Sequence, residues 1–202
     1  MRSLSGISGV ILAAGQSSRL GRPKQLLDLF GEPLLRRVVR NAVASGLDEV
    51  VLVLGYRAEE IASAVGGWGQ RVVVNPEFAE GQSTSVRVGL SAIDPMAEGV
   101  LFLLGDQPQV GPDIIDAVIE RFRETQTPIV MPTYGGIAAN PVLFAGELFA
   151  ELAKVTGDEG ARSVVKRNRD RVATVAVGDG SPPRDVDTEG DYRMLLEEMA
   201  PE

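Results

Sequence analysis

The 202 residues include no cysteine and no histidine. Without cysteine there is no disulfide, no thiolate metal site and no thiol nucleophile, a composition that fits a reducing compartment. Without histidine the Ser-His-Asp and Cys-His triads, imidazole metal sites and the commonest general base are all excluded. Chemistry falls instead to carboxylates, Lys, Arg, Tyr, hydroxyls or a bound metal. Aromatics are scarce at 5%, whereas hydrophobic residues reach 44%. The apolar weight therefore rests on Val, Leu, Ile and Ala, which suits strands covered on both faces and argues against disorder. The formal net charge is −8, so neither nucleic acid nor an anionic membrane is an expected partner. No apolar run approaches the ~20 residues needed to cross a bilayer. Met1 to Gly6 lack the charged-then-apolar build of a signal peptide, and a cytoplasmic protein is expected.

What is present is a regular rhythm. Short β-branched runs at residues 9–14, 50–54, 72–74, 100–104, 129–131 and 172–177 read as buried strands. Between them, segments 33–44, 58–65, 83–93 and 112–124 carry helical periodicity, the first with Gly46 as a stop. Alternating strand and helix predicts an α/β fold, a mostly parallel sheet with helices on both sides. Past Pro132 the rhythm changes. Residues 142–144 read as a strand out of sequence order, followed by short helices at 146–153 and 160–168 and a closing helix at 188–199. The chain is expected to form one domain, with a nucleotide-binding half at about 1–110 and an acceptor-binding half at about 111–202.

Ligands of open α/β sheets gather beyond the carboxyl ends of the strands. The loop after the first strand runs Leu12-Ala13-Ala14-Gly15-Gln16-Ser17-Ser18-Arg19-Leu20-Gly21-Arg22-Pro23-Lys24. Its glycines let backbone N–H groups approach phosphates, and Arg19 and Lys24 add a fork and a point charge. The loop is neither a Walker A nor a dinucleotide fingerprint, because both glycine spacings are wrong. The plainer alternative is a strand-to-helix connection with surface cations. Asp106, in Gly105-Asp106-Gln107-Pro108, follows a buried strand into the expected crevice, although Asp and Pro are also ordinary turn formers. Asp185-Val186-Asp187-Thr188 precedes the last helix. Thr188 with Asp191 reads as a capping box, and Asp187 is a further N-cap candidate. Ser83 reads as the N-cap of its helix. Trp68, flanked by Gly67 and Gly69, reads as a loop anchor without a functional role.

The stretch from Leu12 to Leu27 resembles the signature of MobA-like nucleotidyltransferases, and within them most the molybdenum cofactor cytidylyltransferases. The resemblance implies a Rossmann-like three-layer α/β/α sandwich. It also implies that Leu12, Ala13, Ala14, Gly15, Ser18 and Gly21 wrap an NTP whose phosphates meet Arg19 and Lys24. Guanylyl-transferring relatives carry Leu-Ala-Gly-Gly where this chain has Leu12-Ala13-Ala14-Gly15, so CTP is the implied donor. Gly105-Asp106-Gln107-Pro108 is similar to the family's metal motif and Asp185-Val186-Asp187-Thr188 to its second acidic motif. Asp106 and Asp187 are thereby implied as ligands of Mg²⁺, which takes one or two carboxylates plus substrate phosphates. Gly81 and Ser85 are implied at the base or ribose, and Asn140 and Arg162 at the acceptor. The family pattern has His where this chain has Asn140, and Arg162 also reads as an ordinary exposed helix residue. The implied acceptor is the phosphate of molybdopterin cofactor, and a molybdoenzyme would receive the product.

Such chemistry suits a chain without histidine. A phosphate monoester has its second pKa near ~6, so it attacks as the anion without a general base. Positioning and charge neutralisation remain for the protein. Two other readings stay open: a transferase for a sugar phosphate, whose relatives carry a longer loop before Pro-Lys, and a non-catalytic cofactor-binding chaperone of a molybdoenzyme.

Overall fold

The computed structural model describes residues 6–200, so the leading segment Met1 to Ser5 lies outside the described residues. Strand β1 (Ile7–Leu12) is followed by the glycine-containing loop, a 3₁₀ turn (Lys24–Leu26) and a small hairpin of β2 (Asp28–Leu29) and β3 (Glu32–Pro33). Helix α1 (Leu34–Val43), β4 (Glu49–Leu54), α2 (Ala58–Val65) and β5 (Arg71–Val74) continue the alternation, then α3 (Gln82–Ala92) and β6 (Gly99–Leu104). The second half holds α4 (Pro112–Thr125), β7 (Ile129–Tyr134), β8 (Ile137–Ala138) and β9 (Val142–Ala145). It closes with α5 (Phe149–Leu152), α6 (Arg162–Arg167), β10 (Val172–Gly178) and α7 (Glu189–Glu198).

The main sheet runs β10-β7-β9-β6-β1-β4-β5, with β8 paired to β7. It is parallel except for β9, which lies antiparallel between β6 and β7, and β8. The out-of-order strand expected near residue 142 is this β9. One face of the sheet is covered by α1, α2, α4 and α7 through Leu34, Val38, Ile61, Ile115 and Leu195. The other is covered by α3, α5 and α6 through Val86, Leu152 and Val164. The chain is therefore a three-layer α/β/α sandwich with a mostly parallel sheet. Among the described residues no helix is long and apolar enough to cross a membrane.

Three expectations are corrected. β5 and β10 are not buried: among the described residues they are the end strands of the sheet, where the covering layers thin out, and Val72 and Val74 stand exposed. Ser83 does not cap α3. Gly81 holds that position with φ 108°, and Ser83 is buried in the first turn. Helix α1 ends at Ala44 with ordinary right-handed geometry, while Gly46 instead donates its N–H to Asp116 at 2.6 Å. Trp68 does sit in a loop, half-exposed, with the Arg36 guanidinium 5.7 Å from its ring centre.

Candidate active site

Register decides what meets what. Leu12 on β1 pairs with Leu104 on β6, so the chain leaves both strands side by side at their carboxyl ends. Gly105 donates its N–H to the Leu12 carbonyl at 3.0 Å, and a Cβ there would lie 2.7 Å from that of Ala13. Glycine is needed for this approach, which delivers Asp106 beside the first loop. β9 runs the opposite way, with Val142 opposite Phe102, so Asn140 enters from the same edge through a cis peptide to Pro141.

The loop is pinned from below. Gln25, almost wholly buried, donates through Nε2 to the carbonyls of Ala13 at 2.9 Å and Gly15 at 3.0 Å. The Ser17 hydroxyl accepts from the Lys24 N–H at 3.1 Å, and Ser17 and Gly21 adopt positive φ to make the turns. The Lys24 ammonium is thereby held between two carboxylates, 2.5 Å from Asp106 Oδ2 and 3.2 Å from Asp187 Oδ1. Asp187 arrives from the far end of the chain because Val186 is buried in the core and Thr188 caps α7. The Asp191 carboxylate accepts from the N–H groups of Asp187 and Thr188, completing a capping box. Arg19 Nη2 donates to Asp187 Oδ2 at 2.7 Å from the exposed side. Burial pushes the Asp106 carboxyl above its ordinary range, and the neighbouring ammonium offsets this only in part. On Lys24 burial works downward, but Asp106 and Asp187 outweigh it and leave the ammonium more firmly protonated than usual.

Two adjoining cavities open here. The first, about 410 Å³, is bordered by Leu12, Ala13, Ala14 and Gly15, by Gly81 and Ser85 of the α3 entrance, and by Lys24, Asp106 and Asp187. Gly81 is required by contact as well as by φ, since a Cβ would meet Gly157 backbone at 2.8 Å. The Ser85 hydroxyl is fixed by Asn75 Nδ2 at 2.9 Å. The second cavity, about 450 Å³, has apolar walls including Phe102, Met131 and Val142, with Gln82, Gln107, Asn140, Arg162, Lys166 and Asp185 as polar members. Arg162, Gln82 and Asp185 border both. Of the residues singled out in the sequence, Ser18, Gly21 and Arg19 do not line either cavity; Arg19 reaches the cluster only through Asp187.

Sequence reading passed over Asp185, Gln107, Gln82 and Lys166. Asp185 accepts from Gln107 Nε2 at 2.9 Å where the cavities join. Both residues lie inside motifs already quoted, so motif membership was the available signal. Among the described residues no three His, Cys, Asp or Glu side chains cluster as a metal site. Asp106 and Asp187 nevertheless fit a divalent cation, because oxygens of both already touch a single cationic atom. Phosphate or water oxygens would supply the remaining ligands of such a cation.

A cationic glycine loop, two carboxylates and paired cavities at the carboxyl edge of a parallel sheet define a nucleotide-handling transferase scaffold. The model of the MobA-like NTP transferase domain matches residues 9–172, and the chain belongs to that family of nucleotidyltransferases. It is 30% identical to the purine catabolism protein PucB of Bacillus subtilis, over 95% of this chain and 97% of that one. It is 31% identical to the nicotine blue oxidoreductase of Paenarthrobacter nicotinovorans, over 94% and 96%. With the molybdenum cofactor cytidylyltransferase of Escherichia coli it shares 28% identity over 66% of this chain and 70% of the other. Among solved structures, Mycobacterium tuberculosis Rv0371c superposes with a TM-score of 0.87 at 39% identity, covering 96% of this chain and all of that one. The same protein crystallised with manganese gives 0.83 at 36% identity, with 96% and 100% covered.

Proposed function

We propose that the chain transfers CMP from CTP to the phosphate of molybdopterin cofactor and releases pyrophosphate. The observation that carries this reading is Lys24 bridging Asp106 and Asp187 at the mouth of the first cavity, beside the second. The triphosphate would lie along the loop from Ala13 to Gly15, with Lys24 and Arg19 turning to its oxygens. Mg²⁺, held by Asp106 and Asp187, would supply charge neutralisation across the phosphates. The acceptor phosphate enters from the second cavity beside Arg162. Its oxygen forms the bond to the α-phosphorus as the bond to pyrophosphate breaks. No protein base is needed because that phosphate is already largely ionised. Apolar walls suit a flat, weakly hydroxylated acceptor with an anionic end, and Arg162 and Lys166 are the cations available to that end. The donor assignment is supported by Ala14 in the loop motif and by the cytidylyltransferase relative.

Pyrophosphate release should be measured with each NTP against molybdopterin cofactor and a panel of sugar phosphates. Turnover is expected with CTP and the cofactor, and Asp106→Asn should lower it by at least ~100-fold with an unchanged fold. Turnover confined to a sugar phosphate would replace the acceptor, and full activity of Asp106→Asn would remove that carboxylate from the reaction.

A further inference from the structure

We propose that the free protein keeps its phosphate-binding cations and metal-binding carboxylates neutralising one another, so that metal and nucleotide bind by exchanging these internal partners. This rests on the proposed roles of Lys24, Asp106 and Asp187 and adds how they are freed from one another.

The geometry is an internal charge-paired lock. Lys24 Nζ stands 2.5 Å from Asp106 and 3.2 Å from Asp187, where a divalent cation contacting both carboxylates would have to sit. The pair is largely shielded: side-chain exposure is 19% for Lys24 and 9% for Asp106. Arg19 caps the free oxygen of Asp187 from outside. Both cations that the loop offers to phosphate are thus engaged by the two carboxylates offered to metal. A metal ion arriving alone must displace a buried ammonium that then has no partner. A triphosphate arriving alone must draw that ammonium away and leave two carboxylates facing its own negative charge. Arriving together, they exchange every pairing: cations go to phosphate and carboxylates to metal. Binding of each should therefore strengthen the other by the same factor, as linkage demands.

The two cations contribute unequally. Arg19 is 69% exposed and its pair with Asp187 is screened, so its removal should matter little. Lys24 is the competitor. The loop has a second attachment that keeps it in place during the exchange: Arg22 Nη2 donates to Glu189 at 2.7 Å and its guanidinium lies 5.9 Å from the Tyr192 ring centre.

The test is Mn²⁺ binding to the full chain, read by paramagnetic resonance of the free ion, with and without a CTP analogue whose α,β-bridge is methylene. Wild type is expected to bind Mn²⁺ weakly alone and at least ~10-fold more tightly with the analogue. Lys24→Met should tighten binding of Mn²⁺ alone by about 10-fold, Arg19→Met by no more than about 2-fold. Lys154→Met, an exposed lysine outside both cavities, serves as the control for net charge and should change nothing. Lys24→Gln, which retains a donor between the carboxylates, replaces Lys24→Met if that variant fails to fold. Mn²⁺ affinity unchanged or weakened in the Lys24 variants would overturn the exchange. Asp106→Asn reports separately on the site: if it binds Mn²⁺ plus analogue like wild type, the metal assignment fails, whatever Lys24 does.

Discussion

Lys24 and Asp106 illustrate how a single pair can be costly in isolation and useful in context. Asp106 is buried and Lys24 largely shielded, and burial alone would drive each toward its neutral form. Mutual attraction retains the charges, and a third group, Asp187, biases the cluster toward protonated lysine. Tyr134 shows the opposite outcome. Its hydroxyl is buried without a hydrogen-bond partner, and burial, reinforced by Asp113, pushes its pKa up to about 12. An acid whose folded pKa exceeds its unfolded value of about 10 holds its proton longer when folded. Its contribution is therefore complete below about pH 10 and lost as pH climbs toward 12. Ultraviolet titration of wild type minus Tyr134→Phe should show one phenol ionising near pH 12, and the variant should lose less stability in alkali. A difference curve centred on pH 10 would contradict this assignment.

At the scale of elements, the start of α7 matters most, because one capping box both ends a loop and aims a carboxylate. Thr188 accepts from the Asp191 N–H, and Asp191 holds the N–H groups of Asp187 and Thr188. The Thr188 hydrogen bond, working against slight desolvation, keeps the Asp191 carboxyl below its ordinary range. The cap is therefore intact at neutral pH and weakens as acid takes the pH down through that lowered value. Thr188→Ala should cost ~1 kcal/mol in denaturant unfolding. Its turnover should fall further than that loss explains, since the Asp191 carboxylate that holds the Asp187 N–H loses the Thr188 hydroxyl that fixes it; wild-type turnover in a folded Thr188→Ala would show that the cap does not position the site. The sequence showed this box and the tail helix plainly, because capping is a local matter of three residues. It mis-assigned Ser83 for the complementary reason. A serine before a helical run looks like a cap, but the chain needs positive φ at that corner, and Gly81 supplies it against the Gly157 backbone and the Asp158 carboxylate.

Across the whole molecule, one sheet separates two cores and carries both cavities along one edge. β9 ties these functions together: Phe144 is fully buried, packs edge-on to Phe102 with ring centres 6.0 Å apart, and backs the second cavity. Phe144→Ala should cost roughly 3–5 kcal/mol, a melting-temperature loss of about 10 °C, measurable by calorimetry. The same variant should raise KM for the acceptor more than for the nucleotide, because the first cavity does not include this ring. An equal rise in both would separate β9 from acceptor binding.

Periodicity alone determined the alternating α/β order, the parallel tendency and the loop after β1, since spacing of apolar side chains is written locally. Composition alone excluded histidine and cysteine chemistry. Tertiary structure decided the insertion of β9, the exposure of β5 and β10, and the meeting of residues 24, 106 and 187, separated by as many as 163 positions along the chain. The reason is physical: strand register and core packing set long-range neighbours, and neither Lys24 nor Asp187 carries any local mark of the other.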